Sequence, residues 1–212
     1  MSTFLELAVA RFSVRNFKNQ PIEPDTLNNV LETGRVAPTA SNRQPQRIKI
    51  ITAAAELAKI DECTPCRFGA PAVLLICYDS NICWKRKYDG ATSGEVDASI
   101  VTTHLMLAAH DLGLGTCWVM HFNPAKVSER FALPKYIVPV AMLPIGYPAE
   151  NAEPLQLHYD KVELERILLQ FFTLTGLAKP NGSCTLWERV FCGVGVPSRL
   201  LKNPCFCVFW IY

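Results

Sequence analysis

Leu112-Gly-Leu-Gly-Thr-Cys-Trp118 decides between two ways of building a mixed helix–strand chain. Glycine-rich turns that cradle a dinucleotide stand between a first strand and the helix after it. Here Gly113 and Gly115 come at the far end of a helical segment, with no GxGxxG continuation. From Glu95 to Leu112, Ile100, Val101, His104, Leu105, Ala108 and Leu112 fall at helical spacing, and the glycines close the helix. A nucleotide-binding Rossmann arrangement is therefore disfavoured, and the P-loop pattern is absent.

Outward from this stretch, Thr116 to Met120 is strand-like, and Pro124 to Phe131 is a helix with proline in its first turn. Ile137 to Gly146 is a buried strand despite Pro139 and Pro144. Upstream, Pro71 to Tyr78 (PAVLLICY) is an uninterrupted apolar run of strand length, which predicts a strand buried on both faces. Ile48 to Ile51 reads as a strand and Ala53 to Ile60 as a short helix. Pro24-Asp25 opens a helix with Leu27, Val30 and Leu31 apolar and Gly34 as its stop. Phe4, Leu5, Ala8 and Val9 share one face of a short first helix. The order is helix-first and mixed, without internal repeats.

The chain of 212 residues suffices for one sizeable domain with its own core. Its net charge of +2, with Lys and Arg scattered, gives no nucleic-acid footprint. Phe4 to Ala10 is broken by Glu6 and has no basic segment before it, and no apolar run approaches the roughly 20 residues of a membrane helix. The expectation is a soluble, cytoplasmic protein. Nine cysteines without a targeting signal read as thiols. Cys63-x-x-Cys66 lacks the second matched pair of a four-ligand zinc site, because Cys205-x-Cys207 has the wrong spacing, so no metal is expected.

Two polar stretches carry candidate chemistry. Arg11-Phe12-Ser13-Val14-Arg15, written as an extended segment, puts Arg11, Ser13 and Arg15 on one face. Four steps of strand rise span roughly 13 Å, which suits an elongated anion with a phosphate at one end and hydroxyls behind it. Ala37-Pro-Thr-Ala-Ser-Asn-Arg-Gln-Pro45 is a loop of small residues that a ligand can approach closely. Its Asn42 and Gln44 each bring a donor and an acceptor, which fits a ring edge of alternating C=O and N–H groups. Taken singly, each stretch also reads as an ordinary solvated turn.

Together with Gly-Leu-Gly-Thr-Cys-Trp118 and Pro144-Ile-Gly-Tyr-Pro148, these blocks occur in an order that closely resembles the FMN-dependent nitroreductase family over residues 1 to about 160. The resemblance implies an α+β fold: a three-layer α-β-α sandwich around a mainly antiparallel sheet. It also implies a homodimer with FMN in two clefts at the subunit interface. By position, Arg11, Phe12, Ser13, Val14 and Arg15 fall to the phosphate and ribityl chain, with the side chains of Arg11, Ser13 and Arg15 holding them. Thr39, Ser41, Asn42 and Gln44 fall to the flavin or ribityl hydroxyls, Gly115 and Thr116 to its other side, and Lys161 to the phosphate. Gln46 stands where the family often has Trp, and Cys117 takes the place of a small strand residue near the flavin, without a paired base for nucleophilic work.

The implied activity is NAD(P)H-dependent: hydride passes from NADH or NADPH through flavin N5 to a nitroaromatic, quinone or similar acceptor in a ping-pong cycle. No acid–base side chain is required. His104 reads as a core or interface residue and His110 as a surface one; His121 and His158 are loop candidates for substrate contact, and Trp84 to Asp89 is either a cleft lid or a solvated loop. Residues 161–212 do not follow the family. Val162 to Phe172 supplies a helix, but from Thr173 the composition shifts to four cysteines, Trp187, Trp210 and Cys-Phe-Cys-Val-Phe-Trp-Ile-Tyr212. This tail reads either as an out-of-frame segment or as an interface extension. The rival functions are a flavin carrier or sensor without turnover, and a cysteine-rich interaction protein.

Overall fold

Residues 3–168 are described in a computed structural model of the chain. The chain divides into two compact units, Met1–Asp160 and Lys161–Tyr212. In the first, the elements are α1 (Phe4–Ala10), α2 (Pro24–Arg35), a 3-10 turn (Ala40–Asn42), β1 (Gln46–Ile51), α3 (Ala54–Cys63), β2 (Ala72–Asp79), α4 (Gly94–Asp111), β3 (Gly115–Thr116), α5 (Pro124–Arg130) and β4 (Ile137–Gly146). A second 3-10 turn, Gln156–His158, follows β4. In the second unit one helix, α6 (Leu164–Ile167), is described. The tail features from Thr173 to Tyr212 lie outside the described residues.

The strands form one antiparallel sheet in the order β1-β2-β4-β3. The apolar run of β2 is explained by its central place. Ala72, Leu74 and Ile76 point to one face, where Val30 of α2 and Ala98, Val101, Leu105 and Ala109 of α4 cover them. Val73, Leu75 and Cys77 point to the other, against Ile60 and Cys63 of α3 and Val127 of α5. Two helical layers thus enclose the sheet, which is the α+β three-layer sandwich anticipated above. Pro139 has no N–H to give the ladder, and the β2–β4 register shifts beside it, between Ile76 and Cys77.

Three expectations need correction. Gly34 does not stop α2, which continues to Arg35; a Cβ on Gly34 would lie 2.7 Å from Leu105 Cδ2, so the glycine lets α4 come close. The strand at Thr116 to Met120 shortens to two residues plus an isolated bridge from Val119 to Met142 in the same register: Cys117 N–H donates to Pro144 O at 3.2 Å, but Pro144 has no N–H to return, which interrupts the ladder. The apolar face of α1 is uncovered in the single chain: Phe4, Leu5 and Val9 are 72%, 72% and 64% exposed. Among the described residues no helix is long and apolar enough to cross a membrane.

Candidate functional site

The Arg11–Arg15 segment leaves α1, with Arg11 as its extended C-cap, and runs beside β3. Ser13 forms a parallel bridge with Thr116, and the Val14 N–H donates to the Thr116 carbonyl at 2.9 Å. Val14 is buried, and a Cβ on Gly115 would lie 2.5 Å from its Cγ2. The alternation expected of an extended segment is therefore present: Val14 turns inward and its neighbours face away. The chain continues along the end of β4, where Lys18 N–H donates to Tyr147 O at 2.8 Å and Ala149 N–H to Asn16 O at 3.0 Å.

The charges of Arg15 and Arg11 and the Ser13 hydroxyl act on the buried Cys117 thiol. Burial pushes that thiol up, while Arg15, the Ser13 hydroxyl and Arg11 pull it back. Arg15 also donates to Ser13 O at 3.2 Å and stands 5.9 Å above the Phe68 ring. Among the described residues neither Arg11 nor Arg15 meets a carboxylate; the ion pairs present are made by other cations. Two guanidiniums without a counter-charge, a hydroxyl between them and an anchoring backbone make a surface complementary to an anion. Burial, and then Arg11, hold the His110 imidazole below its ordinary value. Phe12 packs edge-on against His158, ring centroids 6.4 Å apart.

The second polar stretch is a strained turn. Ser41, Asn42 and Gln44 have φ of 51°, 51° and 50°, left-handed for non-glycine residues. Local hydrogen bonds hold it: Asn42 N–H to Thr39 O at 2.9 Å, Arg43 N–H to Ala40 O at 3.1 Å, and Gln44 N–H to Thr39 Oγ1 at 3.0 Å. Thr39 thus shapes the turn, its hydroxyl oxygen accepting from Gln44. The Asn42 and Gln44 amides bond each other at 3.0 Å. One donor and one acceptor then remain side by side, whichever amide gives the proton. The turn is also tied to α4, since Ala40 N–H donates to Asp97 Oδ1 at 2.9 Å.

These two halves do not meet. The turn is fixed at the first turn of α4, through Asp97. The Arg11–Arg15 segment is fixed just past its end, through Gly115 and Thr116. Eighteen residues of α4 extend about 27 Å. Lys161 lies in the second unit, exposed. Gln46, at the start of β1, keeps its Oε1 buried without a partner among the described residues.

Around the Cys117 side, Thr64 Oγ1 donates to His121 O at 2.6 Å, tying the turn after α3 to the chain after Val119. A cavity of about 500 Å³ opens there, lined by Cys63, Pro65, His121, Phe122, Asn123 and Pro124. His121 thus stands at a cavity of ligand size. The sequence reading missed Asp97, Ser93 and Phe68. Asp97 carried a signal: it falls on the same helical stripe as Val101, His104 and Leu105, a carboxylate where apolar residues belong. His104 is half-buried with Nδ1 2.9 Å from Ile100 O. Trp84 to Asp89 belongs to an exposed hairpin closed by a Lys85–Thr92 bridge and an Arg86–Asp89 ion pair. All five cysteines among the described residues are free, and no group of three metal-ligating side chains occurs among them.

Comparison with known proteins places the same segments in context. The model of the nitroreductase family matches residues 8–66 and 62–147. A protein of Methanothermobacter thermautotrophicus, provisionally named an NADH dehydrogenase/NAD(P)H nitroreductase, is 28% identical over 172 residues, covering 76% of this chain and 86% of its own. The FMN reductase [NAD(P)H] of Bacillus subtilis is 31% identical over 158 residues, 66% of this chain and 64% of its own. Among solved structures, a nitroreductase family protein from Clostridium difficile 630 superposes with a TM-score of 0.76 at 37% identity, over 82% of this chain and 100% of its own.

Proposed function

This chain belongs to the nitroreductase family, and from that premise we propose that it is an NAD(P)H-dependent oxidoreductase that holds FMN. The observation that carries the reading is the pair of guanidiniums, Arg11 and Arg15, without a carboxylate partner among the described residues and flanking Ser13 on a segment bonded to Thr116. The residues fit the group. The arginines and the Ser13 hydroxyl supply donors for a phosphate and a polyol chain. The absent side chain at Gly115 leaves Val14 room to dock, which keeps the donors in register. The Asn42–Gln44 pair offers the donor and acceptor that a flavin ring edge takes up.

When bound, FMN supplies a two-electron redox centre that takes a hydride from NAD(P)H and passes it to an electron-poor acceptor. The protein's part is to bind and orient. Arg11 and Arg15 neutralise the phosphate. Cys117, buried and held above its ordinary value, stays a neutral thiol and adds no negative charge beside the phosphate. A nitroaromatic or quinone is the acceptor class: the hydride and one proton from solvent turn a quinone into a hydroquinone, or a nitro into a nitroso group with loss of water, so no protein acid is needed.

We also infer a homodimer. The arginine segment and the Thr39–Gln44 turn sit at opposite ends of α4, so both border one flavin only when they come from two copies. The uncovered apolar face of α1, with Phe4, Leu5 and Val9, supports such an interface.

The test is the visible spectrum of the purified protein. FMN bands that bleach with NADPH or NADH and return on adding a nitroaromatic or quinone support the reading. FMN bands that neither NADPH nor NADH bleaches indicate a flavin carrier or sensor, and a colourless protein that takes up no FMN refutes the flavin reading.

A further inference from the structure

The carboxylate of Asp97 is 1% exposed, and among the described residues no cation pairs with it. A buried charge of that kind is unfavourable unless it is well bonded. Each oxygen has one donor: Ala40 N–H at 2.9 Å on Oδ1, and Ser93 Oγ–H at 2.7 Å on Oδ2. Ser93 occupies the N-cap of α4, where a serine ordinarily accepts from the helix's first N–H groups. Here its side chain makes no cap bond and serves Asp97 instead. Placement in the first turn of α4 offsets part of the charge through the helix dipole.

The bond to Ala40 falls on the most strained turn of the described chain. Five non-glycine residues have positive φ, and Ser41, Asn42 and Gln44 are three of them. Left-handed residues persist only where their surroundings over-determine them. Most of the turn's other hydrogen bonds are internal to it: Asn42 and Gln44 N–H donate to Thr39, Arg43 N–H to Ala40 O, and the Asn42 and Gln44 amides bond each other. These fix its shape; at its C-terminal end Gln44 O also accepts from Arg47 Nη1 of β1 at 3.2 Å, which leaves the N-terminal end to Asp97. Asp97 connects the turn to the helix framework.

We propose that Asp97 is a positioning residue for the flavin: with Ser93, it locks the Thr39–Gln44 turn to α4 so that Asn42 and Gln44 are arranged before the cofactor arrives. The proposal rests on the FMN reading above. It makes the Ser93–Asp97–Ala40 chain, not the amides alone, the determinant of affinity on that side.

Three variants test it: D97A, the conservative D97N, and S93A. Amide hydrogen exchange is read at Ala40–Gln44 and, as reference, in β2 and β4, and FMN affinity is read by flavin fluorescence titration. In D97A, exchange at the turn should quicken at least tenfold with the reference strands unchanged, and FMN affinity should fall about tenfold. D97N keeps an acceptor for Ala40 and should restore most of both; S93A should fall between. Turn exchange and FMN affinity within twofold of wild type in D97A overturn the proposal. If D97A does not fold, S93A decides it, wild-type turn exchange and FMN affinity in S93A being the refuting result. Faster exchange spread equally over β2 and β4 also overturns it, since Asp97 would then hold the whole fold. A wild-type protein that takes up no FMN refutes the functional reading and the flavin half of this proposal with it. D97A and S93A variants that match a flavin-loaded wild type refute the proposal alone.

Discussion

Val14 donates its N–H to the carbonyl of Thr116 at 2.9 Å, while its side chain fills the space a Cβ on Gly115 would need. One contact is directional and the other steric, and together they set how far the arginine segment stands from β3.

G115A should therefore damage that segment first. The added methyl meets Val14 Cγ2 at 2.5 Å, Val14 Cβ at 2.8 Å and Pro148 Cγ at 3.0 Å, on a residue that cannot swing away. Overpacking of this kind costs about 1–3 kcal/mol. The expected result is a lower thermal midpoint and weaker FMN binding. G34A is the control: its new Cβ meets Leu105 Cδ2 at 2.7 Å and Cγ at 3.1 Å in the core between α2 and α4, away from the arginine segment, so a lower thermal midpoint with unchanged FMN affinity is expected.

Removing the arginines should act on affinity without much effect on folding. Neither pairs with a carboxylate among the described residues, so no partner is left stranded. Hydrogen bonds to charged groups contribute about 1.5–3 kcal/mol, which is roughly ten- to a hundredfold in FMN dissociation constant for R11A or R15A. Affinity of the wild type should also weaken with salt. Flavin titrations of apo-protein at two ionic strengths would check both; unchanged affinity in both variants contradicts the phosphate assignment.

His110 gives a pH signature. Burial first, and Arg11 second, lower its affinity for protons below the ordinary 6.5. Between the two values the unfolded chain binds a proton that the native chain refuses, so stability is full above 6.5 and declines as pH falls toward the native value. H110Q should flatten that slope in urea titrations from pH 5 to 8. An anion on Arg11 removes the repulsive charge, so His110 should take up protons when FMN binds near pH 6, against those the phosphate (second pKa about 6) releases to bind as the dianion. Calorimetry in buffers of different ionisation enthalpy measures the net exchange in wild type and H110Q; the same exchange in both contradicts the Arg11–phosphate contact.

The thiols should separate by burial. Cys77, between two layers, is pushed up to about 12, and Cys63 and Cys117 are also raised by burial. Cys66 is half-exposed. At pH 8 a thiol-alkylating reagent followed by peptide mass mapping should label Cys66 at least tenfold faster than Cys77 or Cys117. Equal labelling of Cys66 and Cys117 in the folded protein refutes this environment for Cys117.

Much of the framework was legible in the sequence because it depends on local periodicity. An unbroken apolar run of strand length reads as a strand covered on both faces, and Ala72–Asp79, within and just past PAVLLICY, is β2 at the centre of the sheet. The glycines after Leu112 ended α4 as read. What escaped depends on contacts between distant segments. Gly34 looks like a helix stop until Leu105, seventy-one positions later, needs its space. The short extent of β3 follows from Pro144 on β4, which has no N–H for Cys117 opposite. For the site, the alternation of Arg11, Ser13 and Arg15 was readable, but the pairing of their segment with Thr116 was not. Ser41, Asn42 and Gln44 show no left-handed preference strong enough to announce the turn. Its anchor is fifty-seven residues from Ala40, on another element.

The helix α4 carries one fragment of the site at each end. In the dimer inferred above, a copy damaged at its arginine end still lends a sound turn to its partner, and a copy damaged at its turn still lends sound arginines. A mixed pair of such copies would assemble one intact cleft and one doubly broken one. The lesions complement each other across subunits, and the harm done by either is shared by both.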